Sequence, residues 1–396
     1  MTLPASAPPI RVPRSRVEET HRRLAVPIRE ALDRVLFGGP RAATETVEAF
    51  ETAFAAATGR RFAVGVQSGT AGLFLALRAA GVGPGDEVIT VANTDISTLS
   101  AVTHCGATPV LCDILLDDYT MDVDRATRLI TPRTRALLPV DLYGHPADAR
   151  ALRTLAEAHG LWLIEDACLA AGARDHGRPV GEWAHLTVFS FNGSKPLGGI
   201  GNGGAVVTDD PQLAGRVRHL RGYGADLLRG TEPGGADAAG KYAFTTEGYN
   251  LPLEGPHAAV LGVKLPYLEE WTSRRRAIAA SYAARLAGEP VGLPTFRAEA
   301  EPTFRQYTVR VARRDAVFAR MRHGGVDVVL HYVPPMHQQP VYRDRRFPGS
   351  DDLPVTERAA EELLCLPVSP ELTEEDVEVV VETLRHAVDP ASSGGM

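Results

Sequence analysis

Cysteine is scarce in this chain. The 396 residues hold four, Cys105, Cys112, Cys168 and Cys365, and no two are spaced as Cys-x-x-Cys. That excludes a disulfide scaffold and leaves reduced, mostly buried thiols of a cytoplasmic protein. Positive charge is not in surplus either: 42 Lys and Arg stand against 49 Asp and Glu, a net charge of −7. A nucleic-acid binder needs a basic face, so that class is set aside. No window reaches membrane-spanning length. The opening "MTLPASAPPIRVPRSR" lacks a continuous apolar segment, so it reads as an extended arm and not as a signal peptide. There is no internal repeat, and no metal site is read. What is present is ordinary: 44% apolar and 23% charged residues describe a soluble globular protein. The length suits two domains with ample core.

After the arm, Val17 to Phe37 and Thr44 to Thr58 carry helical periodicity, broken by "GGP". A rhythm of apolar strands and helices comes next. "RFAVGVQ", "DEVITV", "TPVLCDI", "RALLPVDLYG" and "LWLIEDA" read as strands. Helices lie between them, the last opened by Pro146. That alternation means a mostly parallel sheet covered on both faces. "LTVFSFN" and "GGAVVTDD" have no helix between them, which predicts a hairpin or an antiparallel edge. Gly222 to Gly240 reads as a mobile glycine-rich loop. A nearly continuous helical region runs from Pro256 to about Leu286. "FRQYTVRVA" is a strand, "DAVFARMRHGG" a helix, "VDVVLHY" a strand, and "TEEDVEVVVETLRHAV" a closing helix. The expected organisation is an arm over 1–16, a large α/β domain over 17–264, a smaller α+β domain over 265–388, and a flexible tail over 389–396.

Three places at strand ends carry chemistry, where open parallel sheets bind ligands. "SGT" at Ser68 to Thr70 ends a strand and opens a helix. It is either an ordinary N-cap or an anion cup of backbone N–H groups with the Thr70 hydroxyl. "IEDA" sets Glu165 and Asp166 at the end of a buried strand. They either cap the next segment as a helix or supply a counter-charge to a cofactor's ring nitrogen. Lys195, in "NGSKPLGG", is either a solvent-facing lysine on a glycine turn or a nucleophilic amine. Gly199, Gly201 and Gly204 spell G-x-G-x-x-G, but a strand comes after them where a dinucleotide site needs a helix. These glycines are read as letting backbone pass close to a ligand. Anion cup, buried carboxylate and strand-end lysine are together what pyridoxal phosphate requires.

The sequence resembles the DegT/DnrJ/EryC1/StrS family of sugar aminotransferases from about Val35 to Val388. The markers include "SGTAGLFLALRAAGVGPGDEVIT", "GATPVLCDI", "PRTRALLPVDLYGHPAD", "LIEDA", "FSFNGSKPLGGIGNGGAVVTDD", "GYN" and "LPVTERAAEELLCLPVSPELTEEDV". The resemblance implies the aspartate-aminotransferase (type I) fold: a mostly parallel seven-stranded sheet in the large domain and a smaller C-terminal α+β domain. It implies pyridoxal 5′-phosphate, with Lys195 as the Schiff-base lysine and Asp166 as the pyridine-nitrogen partner. Gly69, Thr70 and Ser190 match phosphate contacts. Asn250 matches an asparagine that reaches the phosphate of the neighbouring subunit, so a homodimer with shared active sites is implied.

Four departures bear on the pocket. Asp95 stands where the family has a ring-stacking aromatic, and it either caps the helix after "ANT" or faces the pocket to orient a substrate hydroxyl or amine. Leu169 stands where a glutamine is usual, Ala171 for a histidine and Pro252 for an arginine. His145, His331 and His337 are each an acid–base candidate or merely structural. Trp162, Trp183 and Trp271 read as core or interface residues. The implied reaction moves an amino group from glutamate or glutamine to a keto-sugar, usually a nucleotide-linked deoxy-keto-sugar. An aminocyclitol ketone is the rival acceptor. A lyase or epimerase reaction, and a non-catalytic cofactor-binding regulator or partner subunit, are the alternatives. A sugar 3-dehydratase would need histidine in place of Lys195.

Overall fold

The computed structural model describes residues 9–225 and 244–389. The start of the expected arm (1–8), most of the glycine-rich loop (226–243) and the tail from 390 lie outside the described residues. Strands form where short β-branched runs are bounded by turn residues. They are β1 (Phe62–Val66), β2 (Glu87–Val91), β3 (Thr108–Cys112), β4 (Thr134–Leu138) and β5 (Trp162–Asp166), then a short ribbon of β6 (Arg174–Asp175) and β7 (Arg178–Pro179), then β8 (Leu186–Ser190) and β9 (Gly204–Thr208). Seven of these make one sheet in the order β1-β9-β8-β5-β4-β2-β3. Neighbours from β3 through β8 pair in parallel, while β9 runs antiparallel to both of its neighbours. The antiparallel strand is therefore as expected, but it is not an edge. It sits inside, between β8 and β1, and every one of its residues is buried.

Helices α1 (Val17–Arg23), α2 (Ala25–Phe37), α3 (Ala42–Ala57), α4 (Gly69–Ala79), α5 (Ile96–His104), α6 (Val123–Arg128), α7 (Ala149–His159), α8 (Pro211–Arg221), α9 (Gly255–Lys264) and α10 (Leu268–Arg285) surround this sheet or lead away from it. The first helical stretch breaks at Leu24, because Pro27 has no N–H to offer the Arg23 carbonyl. α7 opens on Asp148, whose side chain accepts from the Ala151 N–H at 2.9 Å, and not on Pro146.

The two faces of β8 show what holds the site in place. Val188 turns toward Leu73, Leu77, Leu213 and Val217. Phe189 turns the other way, into a cluster with Phe50, Phe54 and Leu261. Phe54 meets Phe189 edge-on at 5.2 Å and Phe191 at 4.9 Å. Burying each such ring contributes roughly 1.5–3 kcal/mol. The rings fix the chain just before it reaches Lys195.

A second sheet, β10-β12-β13, is built from β10 (Val291–Gly292), β12 (Tyr307–Val311) and β13 (Leu363–Leu366); β11 (Ala300–Glu301) pairs instead with β6. With α11 (Arg314–His323), α12 (Pro354–Glu362) and α13 (Glu374–Val388), it surrounds a core of Val309, Met321, Leu364, Val380 and Leu384. Val12 of the arm joins this core and bridges Val326. The strand expected over "VDVVLHY" does not form. Single bridges at Val326 and Val329 are all that remain, because the Val328 N–H bonds back to the Val326 carbonyl at 3.0 Å and turns the chain. Among the described residues no helix is long and apolar enough to cross a membrane.

Candidate active site

The carboxyl ends of β1, β5 and β8 open on one cavity of about 400 Å³. Gly69, Thr70, Asp95, Asp166, Leu169, Ser190, Lys195 and His331, all singled out in the sequence, line it. Asn250 does not: it bridges Gly222 and is exposed on this chain's surface.

Asp166 ends β5 and is 5% exposed. Its Oδ2 accepts from Thr98 Oγ1 at 2.8 Å, and its Oδ1 from the Cys168 N–H at 3.2 Å. Thr98 in turn shares a 2.7 Å hydroxyl contact with Thr94. Burial pushes the Asp166 carboxyl up, and the bonds from Cys168 and Thr98 and the charge of Lys195 pull it back. No helix comes directly after β5, so the capping alternative for "IEDA" falls away. Glu165 points to the opposite face of the strand, where it accepts from Thr187 Oγ1 at 3.1 Å.

Ser68 caps α4, its Oγ accepting from the Ala71 N–H at 3.1 Å. The other first-turn N–H groups have no partner within the helix. A Cβ on Gly69 would stand 2.6 Å from Cys168 Sγ and 3.0 Å from Ser190 Cβ, so only glycine lets helix and strands close up here. The Thr70 and Ser190 hydroxyls border the same cavity. Two of the glycines singled out after Lys195 answer to the protein itself. A Cβ on Gly199 would strike the His257 ring, and one on Gly204 would stand 2.8 Å from the Ser68 carbonyl oxygen. Packing against His257 and Ser68 demands Gly199 and Gly204; a Cβ on Gly201 would meet His257 only at 3.6 Å, an ordinary contact.

Lys195 sits on a turn closed by its N–H bonding to the Asn192 carbonyl at 2.8 Å. Asp95 caps α5: its Oδ1 accepts from the Ser97 N–H at 2.9 Å and from Ser97 Oγ at 2.6 Å. The cap reading therefore holds, and the residue still borders the cavity. His331 Nδ1 lies 2.6 Å from the Gln306 amide. Burial, with the nearby charges of Arg305, Arg14 and Lys195, pushes this histidine down to about 4, so it is neutral at pH 7. Its ring stacks on Tyr332 with centroids 4.8 Å apart. His145 is fully buried, bonded to the Asp118 carbonyl, and its pKa is pushed down to about 4. His337 bonds Glu357 away from the cavity. Both are structural. Ala171 and Pro252 do not border the cavity.

Sequence reasoning missed Thr98, Cys168, Arg305, Gln306 and Tyr332. "LHYVPPM" offered a signal for Tyr332, beside His331. Nothing in "RQY" or "STLS" says that the segment just before β12 and the start of α5 reach this cavity.

The pieces fit one group. A buried acid facing a cavity suits a protonated ring nitrogen, a helix N-terminus with two hydroxyls suits a phosphate, and Lys195 suits an aldehyde. The pattern of the DegT/DnrJ/EryC1/StrS aminotransferase family matches residues 24–385.

The chain belongs to that family.

A relative in Streptomyces venezuelae, dTDP-3-amino-3,4,6-trideoxy-alpha-D-glucose transaminase, is 42% identical over 95% of this chain and 96% of its own. DesV of S. venezuelae, solved in complex with a ketimine intermediate, superposes with TM-score 0.88 at 41% identity, covering 96% of this chain and 99% of that one. NtdA of Bacillus subtilis, solved with bound cofactor PMP, gives TM-score 0.79 at 28% identity over 92% and 82%. The chain is thus a pyridoxal-phosphate-dependent transaminase with the expected α/β fold.

Proposed function

We propose that the protein transfers the amino group of glutamate or glutamine to the ketone of a nucleotide-linked deoxy sugar, in amino-sugar or antibiotic biosynthesis. The observation that carries the reading is the meeting of Lys195, Asp166 and the first turn of α4 in one cavity. The 3-amino product named for the S. venezuelae relative makes C3 of a dTDP-linked sugar the first ketone to test.

When bound, pyridoxal phosphate supplies an aldehyde that takes up amines and a ring that withdraws electrons. The protein's residues do the rest. The α4 N-terminus, with Thr70 and Ser190, holds the phosphate through the helix dipole and hydroxyl bonds. Asp166 holds a proton on the ring nitrogen, and Thr98 keeps that carboxylate in place. The Lys195 Nζ takes the proton from the donor's Cα and delivers one to the acceptor carbon. Leu169 and Tyr332 form part of the wall that keeps water from these atoms.

The reading includes a homodimer in the cytoplasm, with Asn250 of each chain completing the phosphate site of the other. Its exposure and its absence from the lining of this chain's cavity support that, as does exposed apolar surface at Ile96, Ile200 and Tyr223. Two domains, over 17–264 and 265–388, are part of the same reading, supported by separate cores around the two sheets. The test is to load the protein with pyridoxamine phosphate, add a panel of keto-sugars, and follow the cofactor's absorbance. Return of the pyridoxal form with nucleotide-linked 3-keto-sugars supports the proposal. Return with cyclitol ketones alone would replace it.

A further inference from the structure

A second, smaller cleft of about 30 Å³ lies on the other side of Lys195 and Arg305, between the arm, the Lys195 loop and the C-terminal part. Arg14, Lys195, Lys264, Arg275 and Arg305 line it, against one acid, Glu371. Arg14 is paired with Asp327 at 2.8 Å. Arg275 and Arg305 are not paired. Among the described residues no carboxylate lies within ion-pair distance of either, and Arg275 Nε and Nη1 and Arg305 Nε are buried without an acceptor. Arg275 is only 7% exposed. Glu371 attracts Arg275 but does not hydrogen-bond it: its oxygens accept from Thr20 Oγ1 at 2.6 Å and from the Ser369 hydroxyl. Burial and mutual repulsion push Arg275 down to about 10.

A buried guanidinium without acceptors is costly, so its retention calls for an anion that arrives with a ligand. Arg305 borders both the cleft and the cavity that holds Lys195. An anion on Arg305 therefore lies beside the reacting amine. An amino acid meets that condition, since its carboxylate is attached to the carbon that bears the amine. A nucleotide sugar carries its phosphates a sugar ring away from its ketone. Guanidinium also binds carboxylate through two parallel bonds.

We propose that Arg305, backed by Arg275, is the carboxylate subsite for the amino donor. This rests on the aminotransferase reading and adds to it the group that recognises the donor.

The test uses holoenzyme and two probes without a reactive amine, glutarate and thymidine diphosphate, titrated by calorimetry. Each half-reaction is measured separately in single turnovers. A hydrogen-bonded charge is worth roughly 1.5–3 kcal/mol, so Arg305→Gln should weaken glutarate binding, and raise the glutamate concentration for half-maximal donor turnover, by about 10- to 100-fold. Arg305→Lys should recover part of the loss, and Arg275→Gln should show a smaller one. Thymidine diphosphate binding should hold in all three. Loss of thymidine diphosphate with glutarate unchanged would overturn the assignment in favour of a phosphate subsite. No change in either, with melting temperature intact, would leave the two arginines structural and also overturn it. Wild-type protein inert toward every amino donor is a different result: it would sink the aminotransferase reading itself.

Discussion

Thr98 Oγ1 donates to Asp166 Oδ2 at 2.8 Å, joining a residue of α5 to the end of β5 across 68 positions of sequence. The bond helps keep a buried carboxyl ionised where burial alone pushes it toward the acid form. Thr98→Val keeps the shape and removes the donor. A hydrogen bond to a charged group is worth roughly 1.5–3 kcal/mol, so cofactor affinity should fall by about tenfold or more. Fluorescence titration of apoprotein with pyridoxal phosphate checks this. Unchanged affinity would mean that the Cys168 N–H alone holds Asp166 in place.

Asp95 separates stability from selectivity. It caps α5 through Ser97, and loss of an N-cap costs about 1 kcal/mol. Asp95→Asn keeps an accepting oxygen and should melt close to wild type. Asp95→Phe should lose that cap and melt lower by a few degrees, while the two half-reactions change in similar proportion. An acceptor half-reaction slowed far more than the donor half-reaction, with stability intact, would instead give Asp95 a substrate-orienting role.

How legible each residue was in the sequence depends on what fixes its role. The positions of Asp166 and of the Ser68–Thr70 turn were legible because strand ends and helix starts are written in local pattern, while Ser190 came only with the family resemblance. The place of Lys195 in the same cavity became legible once those neighbours were counted with it. The Asp95 cap was open to either reading because a helix start and a pocket edge coincide there. Thr98 and Arg305 were not legible, since their places at the site arise from strand order and from the bend that comes just before β12. The missing strand over "VDVVLHY" has the same cause: an apolar run was read as pairing, but one local bond at Val328 turned it away.

Glu165 gives the fold a pH dependence of unusual sign. Burial pushes its carboxyl up to about 7, while the Thr187 bond and Arg60 pull it back. Between the ordinary glutamate range and pH 7, the folded state holds a proton that the unfolded state has released. Stability from this group therefore falls as pH rises through that window, and none is regained above it. Glu165→Gln, neutral at every pH, should flatten that part of the slope between pH 5 and 8 in urea melts. An unaltered slope would show that Glu165 titrates alike in both states.

Composite sites predict complementation. Lys195→Ala and Asn250→Ala chains, each nearly inactive alone, should recover activity when refolded together, because one site of each hybrid keeps both residues. Size-exclusion chromatography should show a dimer throughout. Hybrids that form but stay inactive, despite a severe Asn250→Ala defect, would contradict a site shared across subunits.

The central claim is that Lys195 holds the cofactor's aldehyde, and borohydride reduction with peptide mass spectrometry tests it most directly. The account predicts a yellow protein, a reduced pyridoxyl adduct on Lys195, and loss of that adduct in Lys195→Ala, with transamination down by at least about 10²-fold. An adduct on Lys264 or Lys241, the chain's other lysines, with Lys195 unmodified, would contradict it.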